Sequence, residues 1–166
     1  SGLLGRGSVH WSFFLDTDAS VMEGNAIADR GNGRFETVDV ARRFSPLDQY
    51  AMGLRLAAEV PPFFYVESPD DFRPNRTFKT TSAPEAGISF TGTRRDVRIE
   101  DVVRVMGPRV PALGPAVFRQ AFVLVADGTA PATEARVGTV ARIRSRFGPY
   151  FTEATGGRGV SSSSLR

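Results

Sequence analysis

The sequence predicts an α+β fold: short strands, about three helices and no regular βαβ alternation. Three observations carry that reading. Aromatic and β-branched runs too short for helices recur between turn signals. Two further segments carry helix-boundary residues, and a longer helical pattern lies near the carboxyl end. The 166 residues, 41% hydrophobic and 23% charged, suit a domain that buries a core without staples. There is no cysteine, which excludes a disulfide framework, a thiolate metal site and a cysteine nucleophile. No run approaches ~18 apolar residues, so no membrane span is expected.

Taken in order, Ser1 to Ser8 is Gly-rich and lacks a start methionine, which reads as the middle of something larger. Val9 to Leu15, with Trp11, Phe13 and Phe14, is a buried strand or a buried helix turn, and periodicity does not choose. Ala26 to Val40 is a hairpin, with Gly31-Asn32-Gly33 supplying the positive φ of its turn. Ser45-Pro46-Leu47-Asp48 starts a helix: Ser45 caps, Pro46 fits the first position and Asp48 faces the dipole. Leu47, Tyr50, Ala51 and Leu54 form its apolar face, and Gly53 ends it in the left-handed region.

Phe63 to Val66 is a strand by aromatic content, and Ser68 to Ala86 is a long surface loop. A strand near Ile88 to Thr91 precedes a helix from Ile99 to Met106, stopped by Gly107-Pro108. Phe118 to Val125 reads as a strand. Ala132 to Ala154 is a helix expected to kink or break at Gly148-Pro149, where proline removes a donor and crowds the preceding turn. Residues 1–155 are therefore expected to form a single α+β domain, and the Gly/Ser-rich 156–166 a flexible tail.

Net charge is +3, concentrated late in the chain. Residues 132–166 hold six Arg and two Glu, against 15 basic and 16 acidic residues before them. A solvated helix face explains this better than nucleic acid, because no stacking or groove-entering motif accompanies the charge.

His10 is the single histidine. A self-contained zinc site needs three or four ligands in proximity, which one histidine and scattered acids do not supply. No G-x-S-x-G, Walker or dinucleotide motif is present. The nearby acids Asp16, Asp18 and Glu23 are read first as caps of a turn and second as metal or ligand groups.

Three blocks occur in order: His10-Trp11-Ser12-Phe13-Phe14-Leu15, Ser20-Val21-Met22-Glu23-Gly24-Asn25 and Phe44-Ser45-Pro46-Leu47-Asp48-Gln49-Tyr50-Ala51-Met52-Gly53-Leu54. With Phe147-Gly148-Pro149-Tyr150-Phe151 and the Ala154 to Gly159 stretch, this chain resembles the C-terminal half of secreted bacterial zinc metallopeptidase-like (zincin-like) proteins. The resemblance implies an extracellular hydrolase in which an upstream H-E-x-x-H helix of the same polypeptide gives two zinc ligands and the general base. It implies a third ligand from this chain, His10 or alternatively Glu23, both sound donors for zinc. It implies a protein or peptide substrate and a site floor or cleft formed by Met52 and Tyr50. Tyr50-Ala51-Met52-Gly53 is similar to a methionine turn, although core packing alone accounts for Met52.

This chain contains no H-E-x-x-H, hence no catalytic residue of its own on this reading. It is expected to be inactive alone, a fragment of a larger catalytic domain. The alternative is a non-catalytic extracellular protein- or glycan-binding module using Trp11, Phe63, Phe64 and Tyr65, residues that interiors also favour.

Overall fold

The computed structural model describes residues 2–70, 77–114 and 116–164. The chain divides into two compact units, Ser1–Gly114 and Pro115–Arg166. The α+β class is the one the sequence predicts, with three α-helices and seven strands among the described residues.

In the first unit, β1 (Trp11–Asp16), β2 (Glu23–Asp29), β3 (Arg34–Asp39), β4 (Phe63–Asp70) and β5 (Ser89–Val97) close into a barrel in the order β1-β2-β3-β5-β4. Closure leaves none of its five strands as an open sheet edge. The Val9 to Leu15 ambiguity resolves as a strand: Ser12, Phe13, Phe14 and Leu15 are all buried, so the run is apolar without alternating. β2 and β3 are the expected hairpin, turned by Gly31, Asn32 and Gly33, each at positive φ. Asp29 Oδ1 accepts from Gly31 N at 2.9 Å and fixes that turn.

β1 and β2 run parallel, Trp11 opposite Glu23 and Asp16 opposite Asn25, with an irregular register between those pairs. Parallel strands ordinarily need a crossover of a dozen or more residues. Here residues 17–22 make the return, with positive φ at Asp18 and Ala19. Sequence periodicity cannot foresee that pairing.

The barrel interior holds Phe13, Phe14, Ile27, Phe35, Phe64, Val66, Phe78, Ile88 and Phe90. Phe13 stacks on Phe78 with ring centroids 4.6 Å apart, and Phe14 meets Phe90 edge-on at 5.1 Å. Each such ring stabilises the fold by about 1.5–3 kcal/mol through burial, before pair geometry is added. The expected loop from Ser68 to Ala86 is shortened at its amino end and holds one core residue. β4 runs on to Asp70, and Phe78 is a core residue; positions 71–76 lie outside the described residues.

A second cluster joins α1 (Pro46–Met52) to α2 (Ile99–Met106) through Leu47, Tyr50, Val60 and Ile99, with Trp11 and Phe63 packed against it. The ends of α1 are those its sequence announces. Ser45 Oγ accepts from Asp48 N at 3.0 Å, Asp48 answers to Ser45 N, and Gly53 sits at φ 78°.

In the second unit, β6 (Val117–Arg119) pairs in parallel with β7 (Val160–Ser162), and α3 (Glu134–Ala154) packs on β7. The strand expected over Phe118 to Val125 shrinks to three residues. Its partner β7 is equally short, and Phe122 packs edge-on against Phe147, at 5.6 Å, without joining a ladder. No break interrupts α3 at Pro149. Gly148 before it has no Cβ to meet the proline ring, which removes part of the usual conflict. Residues 156–166, expected as a flexible tail, supply β7, anchored by the buried Thr155, whose Oγ1 accepts from Gly159 N at 3.0 Å.

Candidate functional site

Glu23 opens β2 in an unusual state. Its φ is 74° and the next residue, Gly24, has φ 73°, so two successive residues are left-handed inside a strand. For a residue with a side chain this costs roughly 1–3 kcal/mol and persists only where the surroundings enforce it. The enforcing contacts come from Thr17, whose Oγ1 donates to the carbonyls of Glu23 and Asn25, each at 3.2 Å. Asn25 is fully buried and ties the strand to its neighbours: Nδ2 donates to Phe13 O at 2.6 Å, and Oδ1 accepts from Glu85 N at 3.0 Å.

Glu23 is buried, 9% exposed. Oε1 forms an ion pair with the Arg6 guanidinium, and Oε2 is buried without a hydrogen-bond partner among the described residues. A buried carboxylate oxygen left unpaired is costly and calls for an explanation.

His10 stands just before β1, one residue from Trp11, which lies opposite Glu23. Its Nδ1 is 3.0 Å from Arg6 O. A carbonyl only accepts, so Nδ1 carries a proton in this contact, and in the neutral ring Nε2 then presents its lone pair. Histidines that bind metals are commonly held this way, with the second nitrogen donating to a carbonyl. Arg6 thus joins the two predicted donors: its carbonyl orients His10 and its guanidinium holds Glu23. Sequence reading passed over Arg6, because nothing in the residue itself marks it. Leu4, Val9 and Met22 are 40%, 70% and 39% exposed beside these donors, through the Leu4–Trp11 bridge and the Trp11 N to Met22 O bond.

Two donors do not complete a metal site. Among the described residues, no group of three or more His, Cys, Asp or Glu could hold an ion. Imidazole and carboxylate are donor types that zinc accepts, but two of them fall short of the three or four ligands a zinc site takes.

The other two predicted site residues belong to α1. Tyr50 is buried in the cluster with Leu47, Val60 and Ile99, and its hydroxyl accepts from Arg109 N at 3.0 Å. Met52 is the half-buried last residue of α1. The aromatics of the alternative binding face are mostly packed. Phe64 is core, with Arg94 3.9 Å above its ring centroid, and Trp11 and Phe63 pack on the second cluster.

Asp48, the helix-dipole residue of α1, does more. It is 4% exposed, and its carboxylate accepts three hydrogen bonds of 2.6 Å: Oδ1 from Trp11 Nε1, Oδ2 from Ser20 Oγ and from Ser45 N. It therefore ties the strand that follows His10, the 17–22 return and the helix start into one unit. Trp11, Ser20 and Asp48 each fall in one of the three ordered sequence blocks, which was the available signal.

A cleft of about 210 Å³ lies between residues 15–18, 45–47 and 60–63, and neither His10 nor Glu23 lines it. Asp16 and Asp18 do. Asp16 Oδ1 accepts from Ile27 N at 3.1 Å, and burial pushes its carboxyl above the ordinary range against the opposing pull of backbone N–H donors. Asp18 pairs with Arg43 at 3.4 Å. Asp18 is exposed in the turn, as the cap reading has it, whereas Asp16 is half-buried and accepts from the neighbouring β2. No helix among the described residues is long and apolar enough to cross a membrane. No protein-family model, curated protein or solved structure matches the chain.

Proposed function

We propose that this chain is the ligand-supplying C-terminal part of an extracellular zinc-dependent peptidase-like domain, with His10 as the third metal ligand through Nε2. The observation that carries the reading is the His10 contact to Arg6 O, which leaves Nε2 as the donor atom, on the same arginine whose guanidinium pairs with the buried Glu23. Glu23 is the weaker ligand candidate, because its Oε1 already neutralises Arg6. It acts here through Arg6, fixing the backbone that orients the imidazole, and so is a positioning residue.

The remaining ligands and the general base belong to an upstream H-E-x-x-H segment of the same polypeptide. Zinc bound there would activate water and polarise a peptide carbonyl. Leu4, Val9 and Met22 are exposed apolar side chains that such a segment would cover. This chain alone, lacking base and companion ligands, is expected not to hydrolyse peptides.

The test uses the longer natural polypeptide. His10→Ala should lower zinc occupancy and abolish hydrolysis of a casein substrate. Glu23→Gln should keep zinc and lower turnover. Full zinc occupancy in His10→Ala would remove His10 from the site and the proposal with it.

A further inference from the structure

The cleft away from His10 has a chemistry of its own. Its walls come from three segments. Leu47, Val60, Pro62 and Phe63 make two of them apolar, whereas Asp16 and Asp18 lie on the third. At about 210 Å³ it exceeds the 150 Å³ cavity that accepts benzene, so one aromatic or branched side chain fits.

Its acids differ. Asp18 already answers Arg43. Asp16 has no ion-pair partner among the described residues, and the nearby Arg94 is bonded to Asp29 at 3.1 Å and to Asp96 at 2.8 Å. One backbone N–H, of Ile27, donates to the Asp16 carboxylate at 3.1 Å. A carboxylate offers about four acceptor positions, so further donors can still be met. A half-buried, unpaired carboxylate beside apolar walls matches a cation attached directly to an apolar group.

We propose that this cleft binds the amino-terminal residue of a peptide, its ammonium on Asp16 and its apolar side chain between Leu47, Val60 and Phe63. The site is independent of the metal reading: it uses neither His10 nor Glu23. Thr17, which lines the cleft and hydrogen-bonds Glu23 O at 3.2 Å, connects the two regions through the backbone.

The probes are phenylalanine amide, which keeps the ammonium, and N-acetylphenylalanine amide, which lacks it. Titrated into the 15N-labelled chain, phenylalanine amide should shift the amides of Thr17, Leu47 and Phe63 and saturate. The acetylated probe should bind roughly ten- to a hundredfold more weakly, as loss of a charge-assisted contact requires. Asp16→Asn should weaken phenylalanine amide to the acetylated level and leave the acetylated probe unchanged. Val60→Phe, which adds bulk to the apolar wall of the cleft, should abolish both responses. Equal binding of the two probes, retained affinity in Asp16→Asn, or no saturable response up to ~10 mM would each overturn the proposal.

Discussion

Asp48 offers the most quantitative test of how the site is assembled. Asp48→Ala removes the acceptor of three short hydrogen bonds and strands a partly buried indole N–H, a buried serine hydroxyl and a helix-cap amide. Hydrogen bonds to charged groups contribute about 1.5–3 kcal/mol each, so the uncorrected sum is roughly 4.5–9 kcal/mol. The variant also escapes the cost of burying a carboxylate, which brings the expected loss to about 3–5 kcal/mol, the range for breaking a buried ionic contact. For a unit of this size that lowers Tm by roughly 12–20 °C.

Asp48→Asn separates the terms. The amide oxygen can keep Ser20 and Ser45, but its NH2 then faces the Trp11 N–H, donor against donor. Trp11→Phe removes that conflict, so the double variant should be more stable than the sum of the two single losses, with a coupling of about 1–2 kcal/mol. Urea denaturation followed by far-UV circular dichroism measures all four proteins. An Asp48→Ala loss under about 1 kcal/mol, or additive Trp11→Phe and Asp48→Asn losses, would refute the reasoning.

Two more predictions address the strained strand and the cleft. Gly24→Ala places a Cβ against the Thr17 side chain, 2.7 Å from Oγ1, at φ +73°, and should cost about 2–4 kcal/mol by the same denaturation assay; a neutral substitution would show that the left-handed pair is not enforced. Asp16, whose carboxyl titrates above its unfolded value, binds its proton more tightly in the folded state, so its contribution to stability is full below the unfolded pKa and fades as pH rises through the raised one. Wild type should therefore lose stability relative to Asp16→Asn as pH climbs from the ordinary carboxylate range, then run parallel to it. A difference that grew in the wild type's favour would reverse the sign and refute the burial argument.

What the sequence disclosed was mainly local. Ser45, Pro46, Asp48 and Gly53 specify both ends of α1 because caps and dipole contacts act within four residues. Gly31-Asn32-Gly33 and Gly107 are equally self-contained. The barrel's closure and the parallel β1–β2 pair depend on contacts that no window contains, and so escaped the reading. Phe118 to Val125 shows the limit from the other side: β propensity is not a strand where partner residues run out. At the site, His10 and Glu23 could be chosen by donor chemistry alone. Arg6, which joins them, and the Oε2 atom left unpartnered are visible only once the chain is folded.

The central functional claim is that the fold sets His10 to donate through Nε2. Because the chain has a single histidine, a long-range 1H–15N spectrum of its imidazole gives an unambiguous answer at a pH where the ring is neutral. The account predicts the Nδ1–H tautomer, with zinc added to the longer polypeptide shifting Nε2. A ring protonated on Nε2, its Nδ1 facing away from the Arg6 carbonyl, would contradict it.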